Sequence, residues 1–325
     1  VKTLWLCAVA VALLIGCAVG PNYHPPKLPS IGNFEASTNS MATNLARVAW
    51  WENFNDPLLS RLVSATTTNN YNVKIGQARL REARALWKQA RFDFAPRVTS
   101  QNFYQNSRTA KDSTSAGADR DGELYRVGFD ATWELDIWGA VRRSVEAARA
   151  TVESVEANRD DILISAQAEV AANYFELRGL QAQLEVALRN ATNQTQIVKL
   201  AEALLQGGGG TRFDVARARS LLNQTLATVP PLEGSIQQTI NRLSVLCGFA
   251  PRVLAPELIM PAKIPVGPVD FTLESPTDLL RKRPDVRAAE RSLAAATARI
   301  GIETANLFPR VTFSGTIGLQ ARNLQ

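Results

Sequence analysis

The stretch LYRVGFDATWELDIWG, Leu124 to Gly139, sets the reading of everything around it. Val127, Phe129, Ala131, Trp133, Leu135 and Ile137 alternate with Arg126, Gly128, Asp130, Thr132, Glu134 and Asp136, so an extended chain carries one apolar face and one polar or acidic face. A soluble sheet with one buried face satisfies that pattern, and so does a membrane β-strand. A membrane strand needs about 9–11 residues with aromatic anchors at its boundary, and Trp138 stands at that place. The predicted lipid-facing set is therefore Val127, Phe129, Trp133, Leu135 and Ile137, with Trp138 as anchor; the predicted lumen-facing set is Arg126, Asp130, Glu134 and Asp136. Upstream, RVTSQNFYQNSR from Arg97 and a Ser/Thr/Gly/Asp-rich stretch through Gly122 complete a first pair of strands over 96–138, joined by a polar outer loop. Two strands cannot close a barrel and lipid tolerates no open sheet edge, so closure has to come from several chains.

Downstream the period changes. From Ala140 to about Gln206 there is no proline and one internal glycine, Gly179, while Val145, Ala148, Val152, Val155, Ile162, Ala166 and Val170 recur at helical spacings. At 1.5 Å per residue such a helix is roughly 100 Å long, which suits a rod crossing an aqueous space better than a compact domain. The glycines of GGGGTRFDV, from Gly207 to Gly210, stop it, and Thr211 with Asp214 three residues on starts a returning helix with a capping box. That helix runs to about Cys247 with an interruption near Pro230-Pro231, making 139–248 a long helical hairpin. Gly208, Thr211 and Asp214 mark its tip, farthest from the strands and so the predicted docking end; plain helix capping accounts for the same three residues equally well. No Gly-Lys-Ser/Thr follows the glycines, which excludes a phosphate loop.

The chain also repeats itself. NVKIGQARLREARALWKQARFDFAPRVT from Asn72 aligns without a gap to DVRAAERSLAAATARIGIETANLFPRVT from Asp285, an offset of 213 that pairs Leu80 with Leu293 and Pro96 with Pro309. Each copy reads as a helix ending at a proline that opens an extended segment. A period this long means duplication of a large unit rather than a solenoid. The second copy stops soon after Pro309, so the sequence is read as C-terminally truncated, lacking about a third of its parent including the second hairpin.

At the other end, Lys2 precedes an apolar run from Leu4 to Gly16, the layout of a secretory signal and too short for a spanning helix of roughly 20 residues. Leu14-Ile15-Gly16-Cys17 places a small residue at the cut and a large aliphatic one three back, the pattern of a bacterial lipobox. Cys17 is accordingly the predicted acylated first residue, whereas Cys7 belongs to the removed signal. Ala18 rather than Asp follows, which points to the outer membrane.

Composition narrows the function. The chain has 325 residues, 46% hydrophobic, and a formal charge of +6. Its Lys and Arg are scattered along helices without interleaved aromatics, which argues against nucleic acid. With Cys7 removed and Cys17 acylated, Cys247 is left alone and no disulfide forms. His24, the single histidine, sits in GPNYHPPKLP without neighbouring ligands. No metal, no cofactor beyond the lipid on Cys17 and no catalytic residues are expected; the reading is of a non-enzyme.

The motifs GPNYHPPKLP, WWENFNDPLLSRLV, FAPRVT, ATWELDIWGAVRR, the Gly208/Thr211/Asp214-Val215 turn, VPPLEGSIQQTINRLSVLCG and SPTDLLRKRPDVRAAE together resemble the TolC-type outer-membrane efflux proteins, in particular the NodT-type lipoprotein branch that serves RND multidrug pumps. The resemblance implies an α+β membrane protein: a homotrimer whose strands form one twelve-stranded barrel, four per protomer, above a periplasmic α-helical barrel of long hairpins. It implies passive export of drugs or other toxic small molecules, received from an inner-membrane RND pump through a periplasmic adaptor. It also divides the chain into a signal (1–16), an acylated extended segment (17–50), equatorial and first-repeat helices (51–95), strands (96–138), hairpin (139–248), linker (249–284) and the start of the second repeat (285–325). A type I protein-secretion channel and a non-pore periplasmic coiled-coil lipoprotein are the alternatives; the lipobox favours the drug-pump branch over the first, and the flanking amphipathic strands disfavour the second. The four successive glycines at the tip are looser than the family pattern.

Overall fold

A computed structural model describes residues 18–27, 49–110, 120–267 and 276–322. The signal segment, Cys17 and most of the extended segment to residue 50 lie outside the described residues. The elements run α1 (Pro57–Asn69), α2 (Tyr71–Phe92), β1 (Arg97–Arg108), β2 (Asp121–Leu135), α3 (Ala140–Gln206), α4 (Arg212–Leu226), α5 (Val229–Leu246), α6 (Ala255–Leu258), α7 (Pro276–Lys282), α8 (Pro284–Asn306) and β3 (Val311–Ala321), with a 3-10 turn at Trp50–Phe54 before α1. No described helix is long and apolar enough to cross a membrane. Two compact units result: a sheet unit (Val1–Lys27, Arg79–Glu156, Val286–Gln325) and a helical unit (Leu28–Ala78, Ala157–Asp285).

In the helical unit, α1 begins where Asp56 caps it, its Oδ1 accepting from the amides of Leu58 at 2.9 Å and Leu59 at 3.0 Å. Pro57 fills the first position, where a missing N–H costs nothing. Residues three and four apart then bury one face of each helix: Leu59, Leu62 and Val63 from α1, Val170, Ala171, Tyr174 and Leu177 from α3, Ile236, Ile240 and Leu243 from α5, closed by Cys247, Leu254 and Leu258. α4 and α5 are separated by only Ala227 and Thr228, and Pro230 and Pro231 fall in the first turn of α5, which is why the interruption sits just ahead of them.

A buried polar chain ties this core together. The Tyr174 hydroxyl donates to Asp56 Oδ2 at 2.6 Å, Arg178 Nη2 donates to the Tyr174 oxygen at 3.2 Å, and Arg178 Nη1 donates to Gln181 Oε1 at 2.7 Å and the Met260 carbonyl at 2.9 Å. Gln181 Nε2 donates to the Leu258 carbonyl at 2.7 Å. Burial, reinforced by the Asp56 acceptor, pushes the Tyr174 hydroxyl up to about 12, so it remains a donor at neutral pH.

In the sheet unit, Leu80 and Ala83 of α2 pack on Val152 of α3 with Trp87 and Val155 alongside, while Ala294 and Ala295 of α8 pack on Ala150 with Tyr23. The Ser154 hydroxyl donates to the Ala288 carbonyl at 2.8 Å. The sheet is antiparallel with order β1-β2-β3, so β2 lies between the strands that follow the two aligned helices.

Candidate channel wall and hairpin tip

The register decides which side chains share a face. Phe129 lies opposite Ser100 on β1 and Ile317 on β3, Val127 opposite Asn102 and Leu319, Trp133 opposite Phe313 and Leu135 opposite Val311. One face of β2 and β3 is thus continuously apolar, and it has no cover among the described residues: Phe129 is 55% exposed, Ile317 76% and Leu319 82%. On β1 the same face carries only Val98 and Tyr104 beside polar residues. The opposite face gathers Arg126, Gly128, Asp130, Thr132 and Glu134 with Arg97, Thr99, Gln101 and one aromatic, Phe103, on one side and Thr312, Ser314, Thr316, Gly318 and Gln320 on the other. Thr316 Oγ1 donates to Asp130 Oδ1 at 2.7 Å across β2 and β3. Gly128 and Gly318 meet on this face; a Cβ on Gly318 would lie 2.7 Å from the Val127 carbonyl oxygen and 2.9 Å from Gly128 Cα.

The strand ends sooner than the alternation predicts. Leu135 is its last residue, and Asp136, expected on the polar face, turns away. Its carboxylate accepts from the amides of Val141 at 2.9 Å and Arg142 at 3.0 Å and pairs with the Arg142 guanidinium at 3.0 Å, satisfying donors that the start of α3 leaves free. Ile137 follows in a tight turn, its amide donating to the Leu135 carbonyl at 2.8 Å, so it is not a strand residue either. Trp138 lies beyond the sheet's end: its ring stacks on Phe308 at 4.5 Å and its indole N–H donates to the Pro309 carbonyl at 3.0 Å. The Trp133 indole similarly donates to the Phe94 carbonyl at 3.1 Å. Of the ten wall residues read from the sequence, Arg126, Val127, Phe129, Asp130, Trp133, Glu134 and Leu135 are brought together on β2. β3 carries the same alternation through Val311, Phe313, Ile317 and Leu319, a period-two signal that the sequence itself contains.

At the tip, α3 ends at Gln206 and Gly208 adopts φ 75°, open to a residue without a Cβ. Thr211 Oγ1 accepts from the Asp214 amide at 3.2 Å, and Asp214 Oδ2 accepts from the Thr211 amide at 3.0 Å and hydroxyl at 2.5 Å. Those bonds from Thr211, hydroxyl first and amide second, hold the Asp214 carboxyl below the usual carboxylate range. Phe213, between them, is 71% exposed. Among the described residues no group of three or more His, Cys, Asp or Glu is placed to hold a metal ion.

A family model described as outer membrane efflux protein matches residues 62–248, more than half of the chain. The chain belongs to this family. As an outer membrane efflux protein it is placed at the outer membrane, and the NodT resemblance is met by Nodulation protein T of Rhizobium leguminosarum bv. trifolii, 30% identical over 309 residues, covering 94% of this chain and 65% of that protein. The solvent efflux pump outer membrane protein SrpC of Pseudomonas putida is 30% identical over 323 residues, covering 97% of this chain and 68% of the relative. The chain thus spans about two thirds of the length of its curated relatives. Among solved structures, the outer-membrane channel OprN superposes with a TM-score of 0.83 at 36% identity, covering 94% of this chain and 68% of that one. The open state of the Neisseria gonorrhoeae MtrE outer membrane channel gives 0.78 at 25% identity, over 95% and 68%. The α+β fold is shared with these channels. The relatives are efflux proteins rather than enzymes, which fits a non-enzymatic role for this member.

Proposed function

We propose that the protein is the outer-membrane channel of a tripartite efflux system, exporting drugs or other toxic small molecules passively from an inner-membrane RND pump through a periplasmic adaptor. The observation that carries this reading is the two-faced sheet. Five large apolar side chains, Val127, Phe129, Phe313, Ile317 and Leu319, stand more than half exposed on one face. Leaving five such groups in water forfeits roughly 10 kcal/mol of burial, as much as a whole domain's net stability, so the face needs an apolar cover. Lipid supplies that cover, and the polar face with Arg126, Asp130 and Glu134 then lines a hydrated lumen. Among the described residues the outer edges of β1 and β3 are unpaired, which calls for further strands. The resemblance to the TolC-type proteins supplies the form of closure, one twelve-stranded barrel from three protomers with four strands each and the 213-residue repeat as its internal duplication.

Export then needs no reacting group here: the conduit has to be open and wet, with energy supplied at the inner membrane. In this reading the hairpins form a periplasmic α-barrel, the capped tip at Gly208, Thr211 and Asp214 with exposed Phe213 meets the adaptor, and Cys17 carries acyl chains. The test expresses the gene for this protein beside its own pump and adaptor in a host stripped of such channels. Resistance to the pump's compounds is expected to rise. Unchanged susceptibility with normally assembled protein would overturn the reading.

A further inference from the structure

Arg143, near the start of α3 in the sheet unit, has a side chain only 5% exposed. Its guanidinium is spent on the segment that precedes the folded body. Nε donates to the Val19 carbonyl at 3.2 Å, and Nη2 donates to the Gly20 carbonyl at 3.2 Å and to Asn22 Oδ1 at 2.8 Å. Nη1 pairs with Glu146 at 2.8 Å. The Val19 amide donates to the Trp138 carbonyl at 3.1 Å, next to the Trp138–Phe308 ring stack. Further along, Tyr23 packs on Ala150, Ala294 and Ala295, its hydroxyl donates to Glu290 Oε1 at 2.9 Å, and the Arg291 guanidinium lies over its ring at 5.7 Å.

The helices are shaped to receive this segment. A Cβ on Gly301 of α8 would come within 2.9 Å of Arg143 Cδ, Cγ and Nε, and one on Gly20 would come within 2.5 Å of Gly301 Cα. Gly20 also holds φ at 92°, where side chains are strained. A buried cation is costly unless its donors are met; beyond the half-exposed Glu146 carboxylate, the acceptors come from this segment's backbone carbonyls and Asn22. Without the segment, Arg143 would lose three of its four partners.

We infer that Ala18–Tyr23 form a latch, captured between α3 and α8 by Arg143, that fixes where the N-terminal anchor leaves the protein: beside Trp138 and Phe308 at the end of the sheet. The inference rests on the reading that the chain carries an acyl anchor at Cys17, but the capture itself does not require the lipid. Arg143 acts here as a positioning residue. Its planar fork reaches two carbonyls and an amide at once, which a lysine ammonium cannot reproduce.

The test is hydrogen exchange of the full chain in detergent, read at the Val19 amide, with α8 amides around Ala298 and the buried Cys247 thiol as reporters of intact folding. Arg143→Lys and Arg143→Gln are expected to speed Val19 exchange about tenfold or more while both reporters stay protected. Glu146→Gln, whose carboxylate touches Arg143 but not the latch, is expected to leave it unchanged. Asn22→Ala, which removes one acceptor of Arg143 and no helix residue, is expected to give a smaller acceleration and tests the latch by itself should an Arg143 variant misfold. Unchanged Val19 exchange in Arg143→Lys and Asn22→Ala would overturn the latch. So would its release by Cys17→Ala, because the lipid rather than Arg143 would then be holding the segment. Absence of labelled palmitate from the wild type would overturn the anchor alone and leave the latch measurable.

Discussion

Leu243 on α5 and Ile317 on β3 are close in size and apolar character, yet Leu243 is 0% exposed and Ile317 is 76% exposed. Leu243 shares one buried cluster with Ile236, Ile240 and Cys247 and with Leu62 and Tyr174 from other helices. Around Ile317 the cross-strand neighbour is Phe129, with no layer above them among the described residues. The helical unit finishes its core within the chain, whereas the sheet leaves an apolar face to be finished by its surroundings. Two apolar side chains of similar size thus sit in opposite environments, and substitutions separate them.

The largest effect is expected where a charge enters the open face. Phe129→Arg puts a guanidinium where the reading places lipid, at a cost of about 2–4 kcal/mol near a bilayer midplane, and the protein should no longer appear as heat-modifiable trimers in the outer membrane. Cys247 should stay unreactive to maleimide in the same sample; normal trimers would break the comparison on the sheet side. Leu243→Ala should do the reverse: a loss of about 2–5 kcal/mol in thermal or denaturant stability from the cavity and a Cys247 thiol that becomes reactive, with assembly retained. An unreactive thiol there would break it on the helical side.

Tyr174→Phe is expected to cost about 1–3 kcal/mol, because Asp56 and Arg178 lose a buried partner. Its pH signature gives the sign. Tyr174 is raised from 10.0 to about 12, so its protonated form is favoured by folding; its contribution is complete below pH 10 and lost between there and about 12. The wild type should lose stability over that alkaline window and the variant should lose less. The smallest effect belongs to the tip. Asp214 lies below its ordinary value of 3.8, so its cap is intact above that pH and lost as pH falls through the lowered value. Amide exchange at Arg212–Val215 should accelerate on acidification, and Asp214→Asn should flatten that dependence.

Much of this was legible in the sequence where the physics is local. The alternation from Arg126 to Leu135, the long helix up to the glycines and the Thr211/Asp214 cap each follow from residues a few positions apart, and each element stands in the structure. Local pattern fails at Asp136 and Ile137 because alternation continues through them while the carboxylate of Asp136 is claimed by α3, a competition that spacing does not reveal. Long-range partners were not legible at all. Tyr174 meets Asp56 across 118 positions, and Arg143 meets Asn22 across 121. Nothing in either neighbourhood marks those arginine or tyrosine side chains as different from the solvated ones along the same helix. The aligned helices teach the same lesson: Leu80 and Leu293 match in the repeat, but Leu80 is 4% exposed against Val152 whereas Leu293 is 52% exposed, since α8 meets α3 through its alanines instead.

The paired glycines Gly128 and Gly318 have a consequence for curvature. Every other level of the polar face carries side chains that crowd one another when strands roll toward that side. At this level the two backbones touch with nothing projecting between them. A sheet creases most cheaply along such a bare line, so bending toward the polar side concentrates there. Filling either position would stiffen the wall and push β2 and β3 apart, and the crease would have to move to a height where the side chains resist it.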